Sequence, residues 1–342
     1  MKAIPAVCLD RKYLLFSLFL LLLLISMAIN VMIGSVSIPL VDLLGIISQR
    51  VTESTSGFIV WKIRLPRAIA AVLGGSFLAI SGLLLQVFFR NPIVGPFILG
   101  ISSGATLMVA VVMLSTLSLG MPALNPFFST LAALMGAYGA MILILTIATR
   151  VRSGVTLLIT GLMLGYLCHA LTSVLVAFAE REKIKGFVLW QLGSFAGFKW
   201  LEIGILFLAG GVILIAVYGL SKPLNAFLLG EEYASTMGVN IRLFRFLILL
   251  CACALAGMVT AVAGPVAFVG LAVPHMARLC FATSDNRVLV PGTILLGGTI
   301  TSLCDLVARW LFSPVELPIS AITAFFGAPM VISLLMKRRT FL

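Results

Sequence analysis

The chain has 342 residues, of which 61% are hydrophobic and only 10% charged, and its mean hydropathy is +1.22. Soluble domains carry about 25% charged residues, so this composition excludes a soluble enzyme and requires a polytopic membrane protein. The net charge of +12 calls for no nucleic acid as partner, because Lys and Arg in a membrane protein orient its loops against lipid.

A spanning helix takes about 20 mostly apolar residues. The sequence predicts ten in chain order: 13–33, 65–88, 94–115, 122–149, 155–179, 201–220, 243–263, 266–281, 288–311 and 317–336. The first follows Arg11-Lys12, and its apolar run is too long for the core of a signal peptide, so an uncleaved helix is expected. The eighth is short and contains proline; merging it with the seventh would leave nine. No soluble domain fits between the spans, whose longest polar connections are 34–62, 179–199 and 221–242, so residues 1–342 form one transmembrane domain. With the N-terminus inside, fourteen of the 23 Lys and Arg face inward. Both termini are therefore expected in the cytoplasm. The six cysteines form no CxxC pair and lie almost entirely in apolar spans, as small buried hydrophobes do.

Several segments stand out along this frame. Arg64-Leu65-Pro66-Arg67 opens the second helix at its outer mouth, with two arginines three apart on one face. Such arginines can snorkel to lipid headgroups or receive carboxylates. Arg309, at the outer end of the ninth span, follows Asp305 by one turn and can pair with it. Between the second and third spans, Asn91-Pro92 and Gly95-Pro96 break the helix, because the residue before proline disfavours the helical region. A plain inner turn would look the same. Residues 224–239, LNAFLLGEEYASTMGV, include the most polar inward stretch and the only adjacent acidic pair, Glu231-Glu232. They read either as a solvated loop or as two short helices around a turn. His169 is an ionisable residue inside the fifth span, which is a candidate for function, though a histidine bonded to a helix carbonyl is the simpler use. Arg64–Ser81 and Glu316–Ser333 share Leu-Pro, a Gly nine residues after the proline and a final Ser. Chance and repetition both explain that echo, and in either case the prolines sit at outer helix starts.

Residues 264–278, GPVAFVGLAVPHMAR, are an apolar run broken by prolines and glycines. Neighbouring helices must satisfy the backbone groups so freed, and broken helices of this kind sit where something passes or moves. With RLPR and the QVFFRNPIVGPFILGISSGA run, this string resembles the FecCD/BtuC-type permease subunit of ABC importers for iron-siderophore complexes, haem and cobalamin. The resemblance implies an all-α integral membrane protein with the type II importer fold. It implies docking of an extracytoplasmic binding protein on Arg64, Arg67 and Arg309. It further implies ATPase coupling through Gly230, Glu231, Glu232, Ala234 and Gly238, whose small residues would pack on the ATPase, and a cytoplasmic gate at Asn91 and Ile93, with loop 150–156 supplying the other gate. The family usually has Leu where this chain has Ile93, and something smaller or apolar at His169, which would face the pathway.

No GxxxxGK[ST] loop is present, so ATP and Mg would be used by two partner ATPase subunits. The expected assembly adds a second permease copy, giving a homodimer or a heterodimer of similar permeases in the bacterial inner membrane. No catalytic residue, cofactor or metal site is expected of this chain. HExxH is absent, and an ion-coupled transporter would need more mid-membrane ionisable groups than His169. Ferric siderophore is the expected cargo, with haem, cobalamin or an oxyanion as alternatives.

Overall fold

The computed structural model describes residues 6–34, 38–49, 54–114, 126–151, 153–313 and 315–337, and these are helical with short connections. α1 (Ala6–Met32), α2 (Leu40–Gln49) and α3 (Thr55–Phe58) lead through a π-helical turn at Ile59–Arg64 into α4 (Leu65–Phe88). A 3-10 turn at Pro96–Leu99 precedes α5 (Ile101–Leu114), and α6 (Pro126–Arg150), α7 (Gly154–Phe178), α8 (Arg181–Gln191) and α9 (Trp200–Gly219) follow. The remainder is α10 (Ser221–Leu228), α11 (Glu231–Thr236), α12 (Ile241–Ala263), α13 (Val269–Phe281), α14 (Asn286–Trp310) and α15 (Ile319–Lys337).

Each of the ten predicted spans contains a helix. Among the described residues seven are long and apolar enough to cross a membrane, while Ile101–Leu114, Val269–Phe281 and Ile319–Ser333 are shorter. The third span loses its first turn because Pro96 starts a 3-10 turn and Gly100 takes φ +76 before α5 begins. The seventh and eighth spans do not merge. α12 ends at Ala263, the chain turns at Gly264 with φ +72, and Phe268 at φ +64 starts α13.

Two of the expected polar connections are partly helical. Within 34–62, α2 and the start of the α3–α4 run build a small apolar cluster of Val31, Ile38, Leu43, Ile46, Val60 and Ala68. In 179–199, α8 buries Phe187 and packs against α5.

α4 is the central post: its face is apolar all round and almost wholly buried by α14, α12 and α13. α1 and α7 leave most of their apolar residues exposed. Without a hydrophobic drive between helices in lipid, packing depends on small residues and interhelical hydrogen bonds. Ser81 Oγ donates to the Ala252 carbonyl at 2.7 Å, and Ser76 Oγ to the Ile294 carbonyl at 2.9 Å. Pro274, inside α13, lacks the N–H that would bond the Gly270 carbonyl. That carbonyl faces Gly82 on α4, where any added Cβ would collide with it. Proline in one helix and glycine in the other thus produce one close crossing.

Candidate functional site

α4 and α14 pack side by side so that the start of one meets the end of the other. This gathers Arg64, Arg67 and Arg309 at one end of the molecule. Arg67 lies between two carboxylates. Its Nε is 3.1 Å from both Asp305 oxygens, and its Nη1 is 2.9 and 3.0 Å from the two Glu316 oxygens. Arg309 Nε is 3.4 Å from Asp305 Oδ2, the i,i+4 pair that its spacing allows. Arg309 Nη2 also donates to the Asn30 carbonyl at 2.9 Å and to Asn30 Oδ1. Arg64 Nη1 donates to the carbonyls of Val31 and Met32 at 2.9 and 2.8 Å. Two of the arginines therefore satisfy the last carbonyls of α1, the end of a helix that favours positive charge. All three side chains are largely buried and turn into the protein instead of snorkelling outward.

The other end of α4 meets the segment 224–239. α10 buries Leu224 and Phe227, and the Phe227 ring stacks on Phe88 at 6.3 Å between centroids. The Arg90 guanidinium lies 5.3 Å from the Phe227 ring, and that of Arg245 lies 5.8 Å from the Phe88 ring, distances at which a cation is drawn to an aromatic face. Arg245 also pairs with Glu231 at 3.0 Å. Asn91, Ile93 and α11 therefore share one end. Asn91 Oδ1 accepts from the Ile93 N–H at 3.0 Å, closing a tight turn that presents Ile93 to the outside.

Gly230 and Gly238 take φ +133 and +84, and a Cβ at either would meet nothing of this chain within 4 Å. Backbone conformation, which favours glycine here, accounts for both without packing on a partner. Ala234 is small because it is buried within this chain. Glu232, Tyr233 and Met237 are exposed around it, and beside α11 a cleft of about 820 Å³ runs between the end of α6 and the start of α12.

His169 lines a smaller pocket of about 260 Å³ whose wall includes Ser102, Ser103, Thr106, Thr172 and Ser320. Phe97, Pro265 and Ala267 complete the wall, so hydroxyls and apolar groups are mixed around His169.

Compared with known proteins, residues 21–337 match the model described as the FecCD transport family. The chain belongs to that family. This FecCD permease is 37% identical over 278 residues to the vitamin B12 import system permease protein BtuC of Salmonella typhi, covering 81% of this chain and 83% of that protein. It is also 37% identical over 280 residues to BtuC of Escherichia coli O9:H4 (strain HS), covering 82% and 84%. A solved structure described as an inward-facing conformation of a metal-chelate-type ABC transporter superposes with a TM-score of 0.83 at 30% identity, over 95% of this chain and 99% of that one. The FecCD permease is thus the membrane subunit of an ABC importer, a multi-pass protein of the inner membrane whose ATP is hydrolysed by partner subunits.

Sequence reasoning missed several groups that organise both ends of the permease. Asn30, inside an apolar run, anchors α1 through Nδ2 to the Ser302 carbonyl at 2.7 Å and Oγ at 2.8 Å. A lone amide in a hydrophobic helix was the available signal. Glu316 stood in the Leu-Pro echo without a role. Gln86 joins α4 to α13, donating to the Leu271 carbonyl at 3.0 Å and accepting from Arg278 Nη1 at 2.5 Å. At the start of α14, Asn225 Oδ1 accepts from both nitrogens of Asn286 at 2.8 Å, and Asn225 Nδ2 donates to Asp285 at 2.6 Å.

Proposed function

We propose that two copies of this permease form the passage for a bulky metal chelate, delivered by an extracytoplasmic binding protein at the arginine end. Two ATPase subunits would work it from the end that carries α10 and α11. One observation carries this reading: α4 joins two differently built ends, an arginine cluster and a short helical pair with exposed acidic and apolar residues. A carboxylate-bearing binding protein suits the first, since Arg–carboxylate pairs fix geometry as well as charge. A short amphipathic lever suits the second, because it moves as a rigid unit under ATP-driven closure. Lys12 acts on Asp285 at the α10 end, which supports a cytoplasmic N-terminus, and an odd-even count over ten spans brings the C-terminus to the same side.

Arg245 ties α11 to the last turn of α4, and Arg90 ties the Asn91–Ile93 turn to α10. Movement of α11 would therefore reach the inner turn directly. His169 and the hydroxyls beside it would form part of one wall of the passage, brushing cargo without gripping it.

The cargo reading rests on two supports of different kinds. The named relatives import vitamin B12, which makes cobalamin the first cargo to test, and the ferric siderophore expected from the sequence is the second. Both are metal chelates too large for the 260 Å³ pocket of one chain, as a passage between two copies requires. Proteoliposomes holding permease, ATPase and binding protein should accumulate radiolabelled cobalamin or ferric siderophore only with internal supply of ATP to the ATPase. Accumulation driven by an ion gradient without the ATPase would overturn the reading.

A further inference from the structure

Arg67 holds two carboxylates that are not equivalent. Asp305 is 1% exposed, sits on α14 and is shared with Arg309. Glu316 has a side chain 49% exposed and lies in the non-helical segment between α14 and α15, whose backbone is held by the Leu317 N–H to the Ala308 carbonyl at 2.8 Å. Breaking a buried pair strands a charge in a dry place, whereas a pair open to water on one side is weak and exchangeable. Asp305 is thus the fixed partner of Arg67, and Glu316 the removable one.

Glu316 grips the Nη1 corner of Arg67 with both oxygens, at 2.9 and 3.0 Å. A glutamate from a docking protein would seek the same charge-assisted contact. The site is therefore already filled by a carboxylate of the kind it is read as receiving. Exposed Trp310, Leu311, Phe312 and Val315 flank it in sequence, so an incoming surface that covers this rim would also cover Glu316. Removal of Glu316 would leave Arg67 and Arg309 sharing Asp305.

We propose that Glu316 is an internal stand-in for the acidic residue of the binding protein, which must displace it from Arg67 to dock. This deepens the docking reading above and rests on it. In the free permease Glu316 keeps the arginine cluster from holding acidic proteins indiscriminately. On docking, the exchange releases the segment that enters α15, and Ser320, four residues on, lines the pocket with His169. Binding outside would thereby loosen one wall of the passage.

The test measures docking of the purified cognate binding protein onto the permease–ATPase complex in nanodiscs, over a range of salt concentrations. Glu316→Gln should dock tighter, by roughly tenfold for an exposed charge-assisted contact removed as competitor, and with steeper weakening by salt. Glu316→Asp keeps the charge but shortens the reach to Arg67, and should dock tighter by a smaller factor. Docking unchanged or weakened in either variant, in a complex that assembles as the parent does, overturns the proposal. So does a Glu316→Gln chain that fails to assemble beside an Asp variant that docks like the parent, since Glu316 would then be a strut. Arg67→Lys separates this failure from that of the docking reading. If it weakens docking while the Glu316 variants change nothing, only the stand-in falls; if it also changes nothing, the arginine end is not the docking site.

Discussion

At the scale of single residues, charge in this molecule is placed where a helix end or a second charge can answer it. Arg64 and Arg309 meet the carbonyls at the end of α1, and Arg67 meets Asp305 and Glu316. The Arg309–Asp305 pair was legible in the sequence from its spacing alone. The contacts to α1 and Glu316 were not, because their partners lie far off in the chain and no local pattern joins them. Asp285 gives a prediction of its own. Burial pushes its carboxyl up, but the Arg287 N–H at 2.9 Å, Asn225 and the charges of Arg287 and Lys12 outweigh that and hold it below 3.8, the usual aspartate value. A carboxylate lowered by folding stabilises the fold in full above its unfolded value, and that contribution is lost as pH falls through the folded one. Thermal unfolding in detergent should therefore show an acid-labile component below about pH 4 that Asp285→Asn removes; identical pH profiles for the two proteins would refute it.

Elements divide into those that pattern reveals and those it hides. Apolar windows of membrane length gave the position of every long span, and the prolines and glycines at 264–278 gave the break before α13. α2 and α8 escaped because a search for 20-residue apolar runs passes over short amphipathic helices with polar neighbours. In α8 the charged opening Arg181–Lys185 masks the buried Phe187. The crossing of α4 with α13 is the element-level feature most open to attack. Gly82→Ala would drive a methyl into the Gly270 carbonyl, and overpacking of this kind costs about 1–3 kcal/mol. The expected result is a lowered melting temperature of the purified permease, whereas the same change at Gly45, inside α2 with open space around it, should not lower it, since alanine favours the helix. Equal melting temperatures would mean that α13 shifts freely.

Over the whole molecule, RLPR and the Asn-Pro turn were legible as the two ends of one span, but the seating of 224–239 against that span was not. RLPR, the Asn-Pro turn and the Gly-Glu-Glu segment each announce themselves locally. That α10 and α11 meet the last turn of α4 follows only from the contacts of Phe88, Phe227 and Arg245. Along this post Arg245 is the link between α11 and Phe88. Arg245→Ala should leave capture of the ATPase intact while lowering cargo moved per ATP severalfold in proteoliposomes. Glu231→Arg combined with Gly238→Trp should instead abolish capture, because both residues sit on the segment read as the ATPase's seat. Loss of capture in the Arg245 variant would make that arginine part of the seat and remove it from the linkage.

α13 is bounded by Phe268 at φ +64 and Ala282 at φ +46, a backbone shape that costs a residue with a side chain about 1–2 kcal/mol. A thirteen-residue rod is thus mounted between two cocked joints, each wound away from its resting angle by the surrounding scaffold. Any rearrangement that relaxed either joint would return that energy to the fold, so the two ends of the rod are its least costly places to bend.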